Sequence, residues 1–289
     1  MGLSKWFSLV KFSHSIFALP FALTGAWLAA GGLPEPRVLF WIVFCAVCAR
    51  TAAMAFNRWL DRDIDARNPR TQGRELPRGV LSPSAVLGLV LLAAAAFVAG
   101  AFALNPLAGR LSLPVLVVLL GYSAIKRFHW LAHGVLGVAL GLAPLGAWVA
   151  VRGDLAGDLA PPILLALAVT TWVIGFDLIY AAQDVEFDRA ENLHSIPARF
   201  GIERALRLSS FLHVLTVLLL VGLAWRSELG TIFVAAVIVA AGLLVWQHRI
   251  VSPTDLSRAN TAFFTLNGWV AVGLFLGTVL ELARKEAVF

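Results

Sequence analysis

Two stretches of this chain carry acidic residues at the spacing of a helix face. The first reads NRWLDRDID, Asn57 to Asp65. At about 100° per residue, positions four apart step by only ~40°. Asn57, Asp61 and Asp65 therefore share one face, and Arg50, seven residues before Asn57, lies two turns down the same face. Asp63 falls on another face and is expected in solvent. The second stretch reads DLIYAAQDVEFD, Asp177 to Asp188. Asp184 and Asp188 are four apart, Asp177 is seven before Asp184, and Tyr180 lies close to that face. A single DxxxD at a helix end is most simply a set of acids pairing with neighbouring arginines. Two such ladders, one with a matching Asn, point elsewhere. Hard cations such as Mg²⁺ take oxygen ligands, often one or two carboxylates completed by water and substrate phosphates. Two facing ladders suit a diphosphate bridged by two Mg²⁺. Arg70, Lys126, Arg127 and Arg199 are candidates to neutralise the remaining phosphate charge. Metals and cations that absorb this charge make diphosphate a good leaving group.

Both ladders end long apolar runs. The 289 residues are 60% hydrophobic and 14% charged, with mean hydropathy +0.83. Soluble domains carry roughly 25% charged residues, so the chain is expected to be an integral membrane protein. The net charge of +6 does not point to nucleic acid, because the arginines sit in short loops between apolar runs. Cys45 and Cys48 lie within such a run and are expected as small buried apolar residues. The start, MGLSKWFSLVKFSH, is too polar and short for a cleaved signal, and Trp6 breaks the myristoylation pattern.

About twenty apolar residues cross a bilayer as a helix. Nine spans are expected, near 15–32, 38–57, 83–105, 111–125, 131–151, 161–182, 209–226, 229–247 and 262–282, the fourth being the shortest. No barrel-type strand alternation is present, so the fold class is all-α. With nine alternating spans, one side holds sixteen basic residues: Lys5, Lys11, the six arginines of 58–78, Lys126, Arg127, Arg189, Arg199, Arg204, Arg207, Arg249 and Arg258. The other side holds six, namely Arg37, Arg110, Arg152, Arg226, Arg284 and Lys285. The excess predicts a cytoplasmic N-terminus and both acidic motifs on the cytoplasmic face. A single polytopic domain over 1–289 is expected. The motifs lie four spans apart, each followed by a basic loop with Pro and Gly, which suggests four-helix repeats, 15–125 and 131–247, plus a ninth helix at 262–282.

NRWLDRDID matches the NxxxDxxxD motif of the UbiA superfamily of intramembrane prenyltransferases. DLIYAAQDVEFD resembles that family's second motif, YxxxDxxxD, with its preceding acid, and YSAIKRF, Tyr122 to Phe128, is similar to its Tyr-x-x-x-Lys-Arg segment. The resemblance runs from KFSHSIFALPFALTGA to the ninth helix and is closest to the 4-hydroxybenzoate polyprenyltransferase branch. It implies a nine-helix horseshoe around a central cavity, open sideways to lipid so that an isoprenoid tail stays in the bilayer. It implies metal ligation by Asn57, Asp61, Asp65, Asp184 and Asp188. It also implies catalytic roles for Asp61, Asp184 and Asp177, the last near the reacting ring. Diphosphate departs, the allylic cation alkylates an electron-rich ring ortho to its hydroxyl, and a proton is lost. The implied partners are a polyprenyl diphosphate, an aromatic acid and the lipid bilayer, in a prokaryotic plasma (inner) membrane, with quinone biosynthesis as the setting. The acceptor expected is 4-hydroxybenzoate, with 1,4-dihydroxy-6-naphthoate as the alternative. Arg50 and Tyr180 are candidates for holding that acceptor. For Arg50 the competing reading is a structural pair with Asp177. The 19 Phe and 10 Trp could stabilise a passing cation or simply fill membrane-facing helices. A transporter, from another functional class, would place its acids near the midplane on broken helices rather than at span ends.

Overall fold

The structure, a computed structural model, describes Trp6, Ser8, Leu9 and residues 17–288. Lys5, Lys11 and the first residues of the expected 15–32 span lie outside the described residues. Nine long helices follow among those described. They are α1 (Leu19–Ala30), α2 (Pro36–Arg67), α3 (Pro83–Leu104), α4 (Pro106–Ile125), α5 (Ala132–Arg152), α6 (Ala160–Ala181), α9 (Ile202–Arg226), α10 (Thr231–Arg249) and α11 (Asn267–Val288). Two short helices, α7 (Val185–Ala190) and α8 (Ile196–Phe200), lie between α6 and α9. No strand is present among the described residues. Eight helices are long and apolar enough to cross a membrane, while α1 is shorter, at 12 described residues. The protein is an all-α integral membrane protein.

Proline sets where helices begin. It occupies the first turn of α1, α2, α3, α4, α6 and α8, where a missing N–H costs nothing. Between α3 and α4 the corner is a single residue. Asn105 Oδ1 accepts from Ala108 N–H at 2.8 Å, and its amide donates to Val149 O at 3.0 Å. The cap thus starts α4 five residues earlier than expected and gives the short fourth span 20 residues. α2 runs 32 residues without a break. At 1.5 Å per residue it is about 48 Å long and outruns a ~30 Å hydrocarbon core. The first ladder therefore rides on a rigid helical extension.

Consecutive long helices pack on one another around the molecule, and α1 inserts against α5 and α11. Small residues let backbones meet. A Cβ on Gly25 of α1 would stand 2.5 Å from Pro144 O of α5, and one on Gly137 would stand 2.7 Å from Thr170 O of α6. In lipid, such close approach supplies helix association. Cross-links alternate between the two ends of the bundle. Arg67–Glu191 at 2.8 Å and Lys126–Asp61 at 2.7 Å tie one end. Asn105–Val149 and Arg226–Asp158, at 2.8 Å, tie the other. Both acidic motifs lie at the first end.

Candidate active site

A cavity of about 500 Å³ runs down the bundle from the acidic end. Its walls come from α1 to α7, the loops at the acidic end and Phe263. The far wall includes Leu104 and Ala150, in the last turns of α3 and α5 at the opposite end. Apart from the charged cap the lining is apolar, with small residues such as Ala49, Ala53, Ala143 and Gly146 leaving the depth open. Five carboxylates and five fixed cations also line it: Asp61, Asp65, Asp177, Asp184 and Asp188 against Arg50, Arg58, Arg70, Arg74 and Lys126.

On α2 the helical period delivers the first ladder to the cavity. Asp61 is 2% exposed and receives Lys126 Nζ at 2.7 Å and Arg127 Nη2 at 3.3 Å. Asn57 donates to Asp61 at 3.1 Å and lies 3.4 Å from Ser123 Oγ of α4. Asp65, also buried, takes Arg74 Nη1 at 2.6 Å on both oxygens and has Arg58 at 4.0 Å. The loop returns Arg74 to the helix because Thr71 Oγ1 donates to Asp65 O at 3.1 Å. Asp63 points away, its side chain 71% exposed, as its angular position requires.

The second ladder is built differently from the expected single helix face. α6 stops at Ala181, tightens to a 3₁₀ turn over Ala182–Asp184, and resumes as α7. Asp184 has φ −103° and ψ 7°, outside the helical well, so the step from Asp184 to Asp188 is not one α-turn. Arg70 crosses from the loop after α2 and forks onto Asp184, with Nε to Oδ1 at 2.8 Å, while its Nη1 meets Tyr180 OH at 2.6 Å. One guanidinium thereby joins the two motifs. Burial lowers the Arg70 pKa, but Asp184 and Tyr180 outweigh it and leave the pKa above the ordinary arginine value. Asp188 accepts from Ser195 Oγ at 2.7 Å.

Asn57, Asp61, Asp65, Asp184, Asp188, Arg70, Lys126, Arg50, Asp177 and Tyr180 all line this one cavity. Two of the candidate cations lie outside the lining. Arg127 stands behind Asp61, reaching its Oδ1 and the Leu60 carbonyl, and is not part of the lining. Arg199 is exposed on α8, its guanidinium 5.9 Å from the Trp130 ring centre and 5.4 Å from that of Phe200. The residues after Ser195 coil into α8 and carry Arg199 outward. Asp177 is held by His133 of α5, Nδ1 to Oδ2 at 2.6 Å. His133, Arg58, Arg74 and Ser195 went unread in the sequence. Arg58 and Arg74 were visible only as members of a basic run. His133 had no local signal, since it acts on an element 44 residues away, and Ser195 reads locally only as a helix cap before Pro197. Cys45 is buried and Cys48 half-buried, both free thiols.

Magnesium fits this donor set. The ligand candidates are all oxygens, and among the described residues no three His, Cys, Asp or Glu side chains converge to hold a metal unaided. That is the pattern of a cation completed by substrate phosphates. The lining acids and bases balance one for one, so a diphosphate brings uncompensated negative charge that divalent cations at the carboxylates would offset.

Fold and site together define an integral membrane protein with a charge-capped, apolar cavity reaching into its helices. The UbiA prenyltransferase family matches residues 18–269. A 4-hydroxybenzoate octaprenyltransferase of Aeromonas hydrophila is 32% identical over 259 residues, covering 90% of this chain and 88% of the relative. The apo structure of a UbiA homolog from Aeropyrum pernix K1 superposes with TM-score 0.84 at 35% identity, covering 93% of this chain and 98% of that one. A UbiA homolog from Archaeoglobus fulgidus, bound to GPP and Mg²⁺, shares the fold with TM-score 0.67 at 19% identity, over 96% of this chain and 99% of that one. The chain belongs to the UbiA family and is a prenyltransferase, which removes the transporter reading.

Proposed function

We propose that the protein transfers a polyprenyl group from its diphosphate to the ring of an aromatic acid, with 4-hydroxybenzoate the preferred acceptor and Mg²⁺ the required metal. The observation that carries this reading is the meeting of both acidic motifs across one cavity, joined by Arg70, with an apolar channel running on behind. The naming of the Aeromonas relative supports the acceptor, and the GPP- and Mg²⁺-bound neighbour supports a prenyl diphosphate with Mg²⁺.

Asn57, Asp61 and Asp65 on one side, and Asp184 and Asp188 on the other, would hold the metal. When bound, Mg²⁺ supplies Lewis-acid neutralisation of the departing diphosphate. Lys126, Arg70 and Arg74 now hold Asp61, Asp184 and Asp65. They are placed to turn from carboxylate to phosphate oxygens as substrate enters, keeping each charge paired throughout. The deep apolar walls receive the prenyl tail and exclude water. Phe17, Phe176, Tyr180 and Phe263 cluster beside Asp177, with Tyr180 and Phe263 ring centres 4.2 Å apart and Phe176 and Phe263 5.1 Å apart. These faces can attract a developing cation. Arg50 offers a guanidinium that can grip a carboxylate through two bonds. It lies about 10 Å deeper than Asn57 along α2, and it too lines the cavity.

The direct test is purified protein with Mg²⁺, geranyl diphosphate and each candidate aromatic acid, read by product mass. A prenylated 4-hydroxybenzoate is expected. Product only with 1,4-dihydroxy-6-naphthoate moves the acceptor assignment, and product with none removes the aromatic reading.

Orientation in a prokaryotic inner membrane is proposed with the acidic end in the cytoplasm. The fourteen described basic residues of the richer side support it, since they lie in the end turns of helices and the loops at that face and on the extension of α2. Engineered cysteines in 66–80 and 189–200 should be labelled from the cytoplasm, and those in 153–159 from outside. Labelling of 66–80 and 189–200 from opposite sides would break the shared site. The two four-helix repeats are retained as a proposal, supported by the motifs closing α2 and α6 at the same end.

A further inference from the structure

His133 stands in the first turn of α5, is 5% exposed and lines the cavity. Its two ring nitrogens face different partners. Nδ1 is 2.6 Å from Asp177 Oδ2, and Nε2 lies 3.4 Å from the backbone nitrogen of Ile196, whose N–H points at it. A backbone N–H can only donate, so Nε2 must carry a lone pair. The single ring proton therefore sits on Nδ1 and is directed at Asp177. Asp177 Oδ2 accepts it, and among the described residues His133 is the one hydrogen-bond partner of this carboxylate.

Ile196 opens α8, and its N–H has no acceptor within that short helix. The residue before it, Ser195, donates to Asp188 at 2.7 Å, and His194 N–H donates to Lys126 O at 2.8 Å. The 194–196 strap is thus anchored to the second acidic motif and to the basic segment after α4. Its next contact inward is His133.

We propose that His133 is a positioning residue for Asp177, fixing which carboxylate oxygen is tied and which is presented to the aromatic acceptor. This rests on the aromatic prenyl transfer proposed above. In that reaction the ring's electron pair forms the new C–C bond while the allylic C–O pair leaves on diphosphate. The ring hydroxyl proton passes to Asp177 and returns when the alkylated carbon gives its hydrogen to solvent, so one proton leaves per turnover. With Oδ2 occupied by the Nδ1 proton, Oδ1 is left for the hydroxyl. Without His133 the carboxylate can rotate, and the proton is offered to a misplaced base. Orienting a base through a second group in this way is a recurrent catalytic device.

The test uses the full chain in detergent or nanodiscs. His133→Ala should lower kcat by about 10²-fold, the scale of a mispositioned general base, with KM for geranyl diphosphate unchanged. His133→Asn places its amide N–H where Nδ1 stands and should recover most of the loss. His133→Gln, though nearer histidine in volume, places its amide where Nε2 stands and should recover little. Equal activity of the Asn and Gln variants, recovery by Gln alone, or an Ala variant within about twofold of the parent would overturn the proposal. A second measurement is independent of turnover and of whether the Ala variant folds. The ¹⁵N spectrum of histidine-labelled parent protein should show His133 protonated on Nδ1, and Asp177→Ala should change that signal. A ring protonated on Nε2 overturns the positioning role whichever acceptor is used. Failure of the parent to prenylate any aromatic acid, with the Nδ1 tautomer present, would count against the reaction assignment and not the pairing.

Discussion

In α2 to α5 the buried polar side chains face the cavity, and the charged ones among them all sit on α2, whereas in α6 and α9 to α11 they are mainly hydroxyls, amides and imidazoles facing neighbouring helices. Asp61, Asp65 and Arg58 belong to the first group. In the second, Thr171 meets Thr216 at 2.8 Å, His213 meets His248 at 2.8 Å, and Trp172 Nε1 donates to Asn267 Oδ1 at 2.9 Å. The largest apolar cluster of the molecule surrounds these links, with Val169, Leu220, Leu223, Phe233 and Leu274 among its members. The second half spends its polarity on a permanent brace; Glu281, its buried acid, caps the start of α10 by accepting from Ile232 N–H at 2.9 Å. The first half keeps its polarity in ion pairs that substrate can reorganise. A membrane protein can bury polar groups for rigidity or for chemistry, and here the two uses are sorted by helix.

The difference can be broken from either side. The largest effect is expected at the two ladders. Asp61→Ala or Asp184→Ala should each cut turnover by ~10³-fold or more, as for loss of a group that stabilises developing charge, while the protein stays inserted and folded. Near-parent activity in either purified variant would remove the two-ladder mechanism. Arg50→Ala sharpens the picture within the cavity. It should raise KM for the aromatic acid by ~10-fold or more, the worth of a charge-assisted hydrogen bond, and leave KM for geranyl diphosphate nearly unchanged. Arg50→Lys should rescue only in part, because an ammonium cannot grip both oxygens. Equal losses for both substrates would point to a structural role.

On the brace the sign reverses. Trp172→Phe leaves Asn267 Oδ1 without its donor and should cost about 1 kcal/mol of stability, read as a lower thermal midpoint in detergent, with kcat held. A fall in kcat without a fall in midpoint would mean that the brace reaches into the chemistry. The smallest effect belongs to Arg199→Ala. Its side chain covers Trp130 outside the cavity, so kcat/KM should stay within about twofold, as for an exposed cation–π contact. A tenfold loss would return Arg199 to the phosphate site.

The α-helical period was legible in the chain and placed Asn57, Asp61 and Asp65 on one face, because α2 is a continuous helix and local spacing alone decides the face. The apolar runs likewise marked the spans. The short fourth one lengthened because Asn105 caps it through contacts with α5, a signal no window of hydropathy contains. The second ladder was found by spacing, but its geometry was not. Asp184 leaves the helical well, and Asp188 is set by Ser195. Arg127 and Arg199 looked equivalent to Arg70 and Lys126 as cations near the motifs. Only the fold of the loops separated those lining the cavity from those outside it. His133 and Arg74 reach their acids from 44 and nine residues away in sequence. Sequence by itself determined the helices, their membrane character and the face of the first ladder, since these depend on neighbours a few residues apart. Tertiary structure decided which charge meets which, because a salt bridge depends on where loops return and on how helices pack, and neither is written in the local period.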